Sequence, residues 1–186
     1  GFINTTKLLQ KSPIEYLFTK HVLHTDLLPA GQSSITINRP FNNRIPHKIY
    51  LFMVQQPADV GDYTEDAGFY RTNGLNNYRL MVDGKTLVDQ DVDTANGAVT
   101  AYIDSLNAHN NEHFIPFEMY CKGCFLLVIK TNHSQSNELS FEQKGNLSIH
   151  LKFDHNMAAN HNIYTFGVVH STFEITADRN CITNDS

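Results

Sequence analysis

Three groups of residues have the types and spacing that could do chemistry. Cys121-Lys122-Gly123-Cys124 carries half of a zinc knuckle, because tetrahedral zinc takes four ligands and one such pair supplies two. No second pair of this spacing occurs, so the missing ligands would have to be histidines from elsewhere. A redox pair of the thioredoxin type needs a βαβ setting, which the surrounding residues do not offer. The spacing predicts two reduced thiols flanking a turn at Gly123, with no metal. His109 and His113 stand four apart with Glu112 beside the second, whereas a zinc protease places its glutamate directly after the first histidine. His150, His155 and His161 gather near one strand end and read as solvated loop histidines. Asp89, Asp91 and Asp93 space like the opening of a calcium loop, but Thr94 and Thr100 stand where the turn glycine and the bidentate glutamate belong. Asp59, Asp62, Glu65 and Asp66 make one loop acidic, and its context suggests solvated surface. Neither a Gly-x-Ser-x-Gly elbow nor a glycine-rich phosphate loop is present. The chain does not read as an enzyme: no catalytic residue, cofactor or metal is expected.

The elements that would position these groups are mostly strands. Residues 1–20 show no clean period and Pro13 breaks any helix, so an N-terminal arm or lead-in strand is expected there. A single domain is expected over 21–186. Val22 to Leu28 runs into the turn residues Pro29-Ala30-Gly31, and Ser34 to Ile37 alternates with period two. Ile49 to Val54 is apolar on both faces, as a central strand would be. Tyr78, Leu80 and Val82 share a face before Asp83-Gly84, a hairpin signal. Thr94 to Leu106 is the one helix the pattern supports, capped by Thr94 or Asn96. Phe125 to Ile129 is a buried strand, and Leu147, Ile149, Leu151 and Phe153 alternate with polar residues. Tyr164, Phe166 and Val168 keep one phase while Val169, Phe173 and Ile175 keep the other, which predicts a β-bulge. Leu147 to Phe153 and Ile163 to Ile175 are expected to be neighbouring antiparallel strands. The sum is an all-β chain: a jelly-roll antiparallel β-sandwich with one short helix and long loops.

At 186 residues, 41% hydrophobic and 18% charged, the chain can bury a core of its own without staples. A net charge of −5 argues against nucleic acid or anionic lipid as the main partner. No apolar run reaches the length of a membrane span.

Five runs, in order, resemble one family. They are Leu28-Pro29-Ala30-Gly31, Ile45-Pro46 before a hydrophobic strand, Tyr78 to Lys85, Lys144 to Phe153, and Glu174 to Asn180. The pattern is similar to the C-terminal half of the jelly-roll, hexon-like capsid proteins of Polinton/Maverick elements and adintovirus-like DNA viruses, over residues 20–182. The Gly145-Asn146-Leu147 strand and the Glu174-Ile175 ending with Asp178-Arg179-Asn180 are its most specific parts. The resemblance implies a virion structural protein, made in the host cell and assembling with itself and other capsid subunits. A trimeric receptor-binding fibre head, or a carbohydrate-binding sandwich with a host receptor or glycan as partner, is the alternative. The long loops at 55–77 and 108–117 carry Tyr63, Phe69, Tyr70 and Phe114, aromatics suited to the interfaces of a homotrimer. The competing expectation is that they tuck back onto their own sandwich.

Overall fold

Alternation of side chains decides the first element. The computed structural model describes residues 14–96, 98–109, 115–131, 143–176 and 180–183. β1 (Ile14–Leu28) turns Val22 and Leu28 inward and leaves Leu17, Leu23 and Leu27 exposed on the opposite face. It runs unbroken through positions 20 and 21, so lead-in and domain share one strand. β2 (Ser34–Asn38), β3 (Arg44–Ile45) and β4 (Lys48–Gln55) follow, then the one-turn helix α1 (Gln56–Asp59). β5 (Leu75–Val82) and β6 (Lys85–Asp91) form a hairpin. Its turn residues Asp83 and Gly84 have φ of 48° and 78°, the left-handed pair that a two-residue hairpin needs. Next come α2 (Val99–Ala108), α3 (Phe117–Gly123), β7 (Leu127–Lys130), β8 (Gln143–Lys144), β9 (Leu147–Phe153), β10 (His161–Ile175) and β11 (Cys181–Thr183).

Pairing is nested. β1 pairs with β10, β2 with β9, β4 with β7 and β5 with β6, all antiparallel. Folding that long ribbon on itself gives one sheet of order β1-β10-β4-β7, with β11 on β10, and another of order β2-β9-β5-β6. This is the jelly-roll sandwich, an arrangement of eight strands in two sheets. β4, apolar on both faces, lies between β10 and β7 as its composition requires. The core fills the space between the sheets with Ile49, Leu51 and Ile163 from one and Ile37, Leu80, Ile149 and Leu151 from the other. Ile149 is wholly buried. Ile149→Ala should therefore cost about 2–5 kcal/mol in urea unfolding, the range for opening a cavity in a core. A cost below about 1 kcal/mol would place the side chain off the core face.

Three expectations change. β10 has no bulge: its register with β1 is continuous from Ile14↔Ile175 to Leu28↔His161. Ile163, Val169 and Phe173 share the inward phase with His161, Thr165, Gly167 and Ser171, and these four disguised it. Tyr164 and Phe166 face outward, where Phe52 stacks against both. The register irregularities fall in β5 instead. Secondly, β9 and β10 are not neighbours, since β9 lies between β2 and β5 in the other sheet. Thirdly, the helical segment starts later and is joined by α1 and α3. Thr94–Asn96 is a separate 3₁₀ turn, and α2 begins after Ala98, whose φ is 54° and which offers no side-chain cap. α3 starts directly after Pro116, whose fixed φ suits a helix N-terminus. The Cys121–Cys124 pair thus spans a helix end rather than a free turn, with Cys121 inside α3 and Cys124 just beyond it.

Candidate assembly surface

The acidic residues of the 55–77 loop build the loop. Asp59 at the end of α1 accepts hydrogen bonds from the Tyr164 hydroxyl at 2.7 Å and the Asn162 amide at 2.6 Å, which pins α1 to the outer face of β10. That acceptor also raises the Tyr164 pKa. Asp62 accepts from the backbone N–H and hydroxyl of Thr64, bonds that hold its carboxyl below the ordinary range. Asp66 accepts from the Gly68 N–H at 2.8 Å. Both are side-chain-to-backbone turns of the kind aspartate favours.

The far half of the loop docks on α3. The Tyr70 N–H donates to the Gly123 carbonyl at 2.7 Å, and the Tyr70 carbonyl accepts from the Phe125 N–H at 3.0 Å. The Tyr70 ring lies 4.4 Å from Phe52 between centroids. Phe69 occupies the space that a Cβ on Gly123 would need, at 2.3 Å. The Arg71 guanidinium sits 5.0 Å above the Phe69 ring, within cation–π range. The ring of Phe69 uses the absence of a side chain at Gly123.

The helices are locked by aromatics. Tyr102 meets Phe117 and Tyr120, each at 5.1 Å, and Tyr120 meets Phe125 at 5.4 Å. The Tyr102 hydroxyl donates to the Ile115 carbonyl at 3.0 Å and the Tyr120 hydroxyl to the Leu126 carbonyl at 2.9 Å. Burial raises the Tyr120 pKa well above the usual tyrosine value, so the ring stays a donor. Two lysines close the end of α2: Lys48 Nζ donates to the Ala108 carbonyl at 2.8 Å and Lys130 Nζ to the Asn107 carbonyl at 2.9 Å. Cations placed there meet the carbonyls and dipole of a helix C-terminus. Burial, and then Lys130, lower the Lys48 pKa.

The four expected interface aromatics divide. Tyr63 is 98% exposed at the loop tip, and Phe69 is 41% exposed despite its contact with Gly123. Tyr70 folds onto its own sandwich, and Phe114 lies outside the described residues. Sequence reading missed other exposed apolar residues. Val99 and Ile103, one turn apart on α2, are exposed, as are Phe117 and Met119 on α3 and Val60 after α1. The signal was available for α2, where two apolar residues at i and i+4 lie off the face of the buried Ala101, Ser105 and Ala108.

The metal-like groups have other partners. Asn77 Nδ2 donates to both Asp89 and Asp91, and Arg79 pairs with Asp89 at 2.9 Å. These hydrogen bonds, Asn77 first, keep the Asp89 carboxyl below its ordinary value. His109 Nδ1 donates to the Ser105 carbonyl at 2.8 Å, while His113 is outside the described residues. His150 bonds Thr36, His155 bonds Asp154, and the buried His161 donates to the Ala159 carbonyl. Among the described residues no three such side chains gather as metal ligands would. No helix there is long and apolar enough to cross a membrane. A polar cleft of about 500 Å³ opens beside the loop, with Gln55, Glu65, Asp66, Phe69, Arg71 and Asn73 among its walls.

No protein-family model and no curated protein sequence matches the chain. Solved structures do. A chain of the Sputnik virophage, seen by cryo-EM, superposes on 92% of this chain and 39% of its own, with a TM-score of 0.54 at 14% identity. The PBCV-1 virus capsid covers 94% of this chain and 52% of its own, with a TM-score of 0.51 at 10% identity. PBCV-1 VP54, a crystal structure fitted into a reconstruction of the virophage Sputnik, covers 100% and 55%, with a TM-score of 0.53 at 11% identity. The likeness is one of fold. The chain spans 39% to 55% of the length of these structures, and its five-stranded and four-stranded sheets make a jelly roll like that of viral capsid proteins.

Proposed function

We propose that this chain is a non-catalytic building unit of a virion shell, a hexon-like jelly-roll capsid component related to those of Polinton/Maverick and adintovirus-like elements. The observation that carries the reading is the match of the whole β1-β10-β4-β7 and β2-β9-β5-β6 sandwich to the PBCV-1 virus capsid fold. Its surface suits repeated contacts. β1 is an edge strand fifteen residues long with Leu17, Leu23 and Leu27 exposed, and an edge of that kind needs a cover. Val60, Tyr63 and Phe69 of the 55–77 loop, Val99 and Ile103 of α2, and Phe117 and Met119 of α3 are exposed and form the platform of this reading, apolar and aromatic material of the kind that interface cores use. In this reading three copies meet around a three-fold axis through the platform, and other capsid subunits cover β1.

Sedimentation equilibrium of the chain over a wide concentration range is the test. Trimer mass is expected at high micromolar concentration, and Met119→Glu together with Ile103→Glu should shift the population to monomer. A strict monomer throughout would remove the trimer from the proposal.

A receptor-binding head is the second reading, and the polar cleft favours it. A phenylalanine ring beside Arg71, Asp66 and Asn73 is a composition that carbohydrate recognition uses. A glycan screen that finds specific binding lost in Arg71→Ala would support a host glycan as partner.

A further inference from the structure

His47 and His170 lie face to face on the outer side of the β1-β10-β4-β7 sheet. Their ring centroids are 4.5 Å apart and their planes 6° from parallel. His47 sits at the junction of β3 and β4, and its backbone is tied on both sides. Its N–H donates to the Val168 carbonyl of β10 at 3.0 Å, and its carbonyl accepts from the Thr131 N–H, just past β7, at 3.2 Å. His170 belongs to β10, beside Thr19 of β1, and His21 of β1 stands opposite Val168. The pair therefore joins β1, β10 and the start of β4 at one place.

Both Nδ1 atoms are buried and make no hydrogen bond. A neutral imidazole tolerates this, because its proton can reside on Nε2 and leave a bare lone pair on Nδ1. A protonated ring cannot, because Nδ1 then becomes a buried donor with no acceptor. Among the described residues, the charged or titratable groups that act on His47 are His170 on β10, Lys48 on β4 and His21 on β1. Lys130 on β7 stands next to Lys48. All of them are basic.

We propose that the His47–His170 stack is an acid-sensitive latch: neutral, it closes the β3–β4 junction onto β10 and the β1 edge, and protonation drives the two rings apart. The electrostatics agree in direction. Burial, then His170, Lys48 and His21, lower the His47 pKa from 6.5 to about 4. The unfolded chain thus takes up this proton more readily than the folded one. The latch contributes its full stability above about pH 6.5, and that contribution is lost as the pH falls toward 4. It is built from this domain's own residues and operates whether or not the domain assembles.

Thermal unfolding of the chain between pH 4 and 7.5 tests it, comparing wild type, His47→Phe, His170→Phe and the exposed-histidine control His155→Gln. Phenylalanine retains the stacking plane and cannot be protonated. Between pH 7 and 4.5 the Tm of wild type and the control should fall by roughly 5 °C more than that of His47→Phe, with His170→Phe, which keeps the buried His47 ring, in between. Equal slopes in all four proteins would overturn the latch. Should the phenylalanine variants fail to fold, histidine NMR titration of the wild-type chain decides. A His47 ring that titrates below pH 5 supports the latch, and one that titrates at or above pH 6.5 overturns it.

Discussion

Gly167→Val is expected to destabilise the chain more than either Ile149→Ala or Tyr120→Ala. Gly167 lies in the middle of β10, between Val22 of β1 and Ile49 of β4, and points into the sandwich. A Cβ there would come within 2.5 Å of the Phe41 ring and 2.7 Å of Pro46 Cγ. Phe41 is buried, so its ring has nowhere to retreat without opening the core. Overpacking of a tight core costs about 1–3 kcal/mol even for small additions. Valine puts its Cβ at that contact and adds two methyl groups beyond it, for an expected loss above about 4 kcal/mol. Against a total stability of about 5–15 kcal/mol, that is a large part of what holds the domain together. Far-UV circular dichroism and gel filtration read the outcome, with Gly167→Ala as the milder step. A folded Gly167→Val protein with near-wild-type Tm would mean that Phe41 can leave its site.

The second large effect is expected at Tyr120. Its ring, wholly buried, is the hub through which α2, α3 and Phe125 pack. Tyr120→Ala should cost about 3–5 kcal/mol, the range for deleting a buried aromatic ring. Tyr120→Phe keeps the ring and loses only the bond to the Leu126 carbonyl, for about 1–2 kcal/mol. The two variants separate packing from hydrogen bonding. Urea unfolding gives both values, and near-equal losses would mean that the hydroxyl, not the ring, carries the site. Because Phe69 and Tyr70 rest on the end of α3, Tyr120→Ala should also expose the 55–77 loop to limited proteolysis.

The local features were legible in the sequence because each depends on residues close together. β9 reads as a strand since Leu147, Ile149, Leu151 and Phe153 alternate and bury one face. The β5–β6 turn reads from Asp83-Gly84, since that dipeptide tolerates the backbone the turn needs. β10 was harder. Its core face carries His161, Thr165, Gly167 and Ser171 among the apolar residues, and Phe41 fills the gap above the glycine. Hydrophobicity alone therefore put the core on the wrong face over half the strand and suggested a bulge. α3 was missed because seven residues are too few to show a helical period, and because its stability comes from Tyr102 and Phe125 packing on Tyr120.

The sequence by itself determined the class of the protein: strands, the tight turns, and the buried face where apolar residues alternate as in β9. Tertiary structure alone decided which strands pair. The nesting of β1 with β10 and β2 with β9 joins the two ends of the chain around the inner pairs. The pattern of a strand such as β9 says which face is buried but not which strand will lie beside it. The same holds for the surface. Tyr63 and Tyr70 look alike in the loop, yet one is fully exposed and the other stacks on Phe52. His47 and His170 look like ordinary polar residues until β10 returns beside the start of β4 and brings their rings into contact. Burial and partnership are properties of the space between elements, and that space exists only once the sheets have closed.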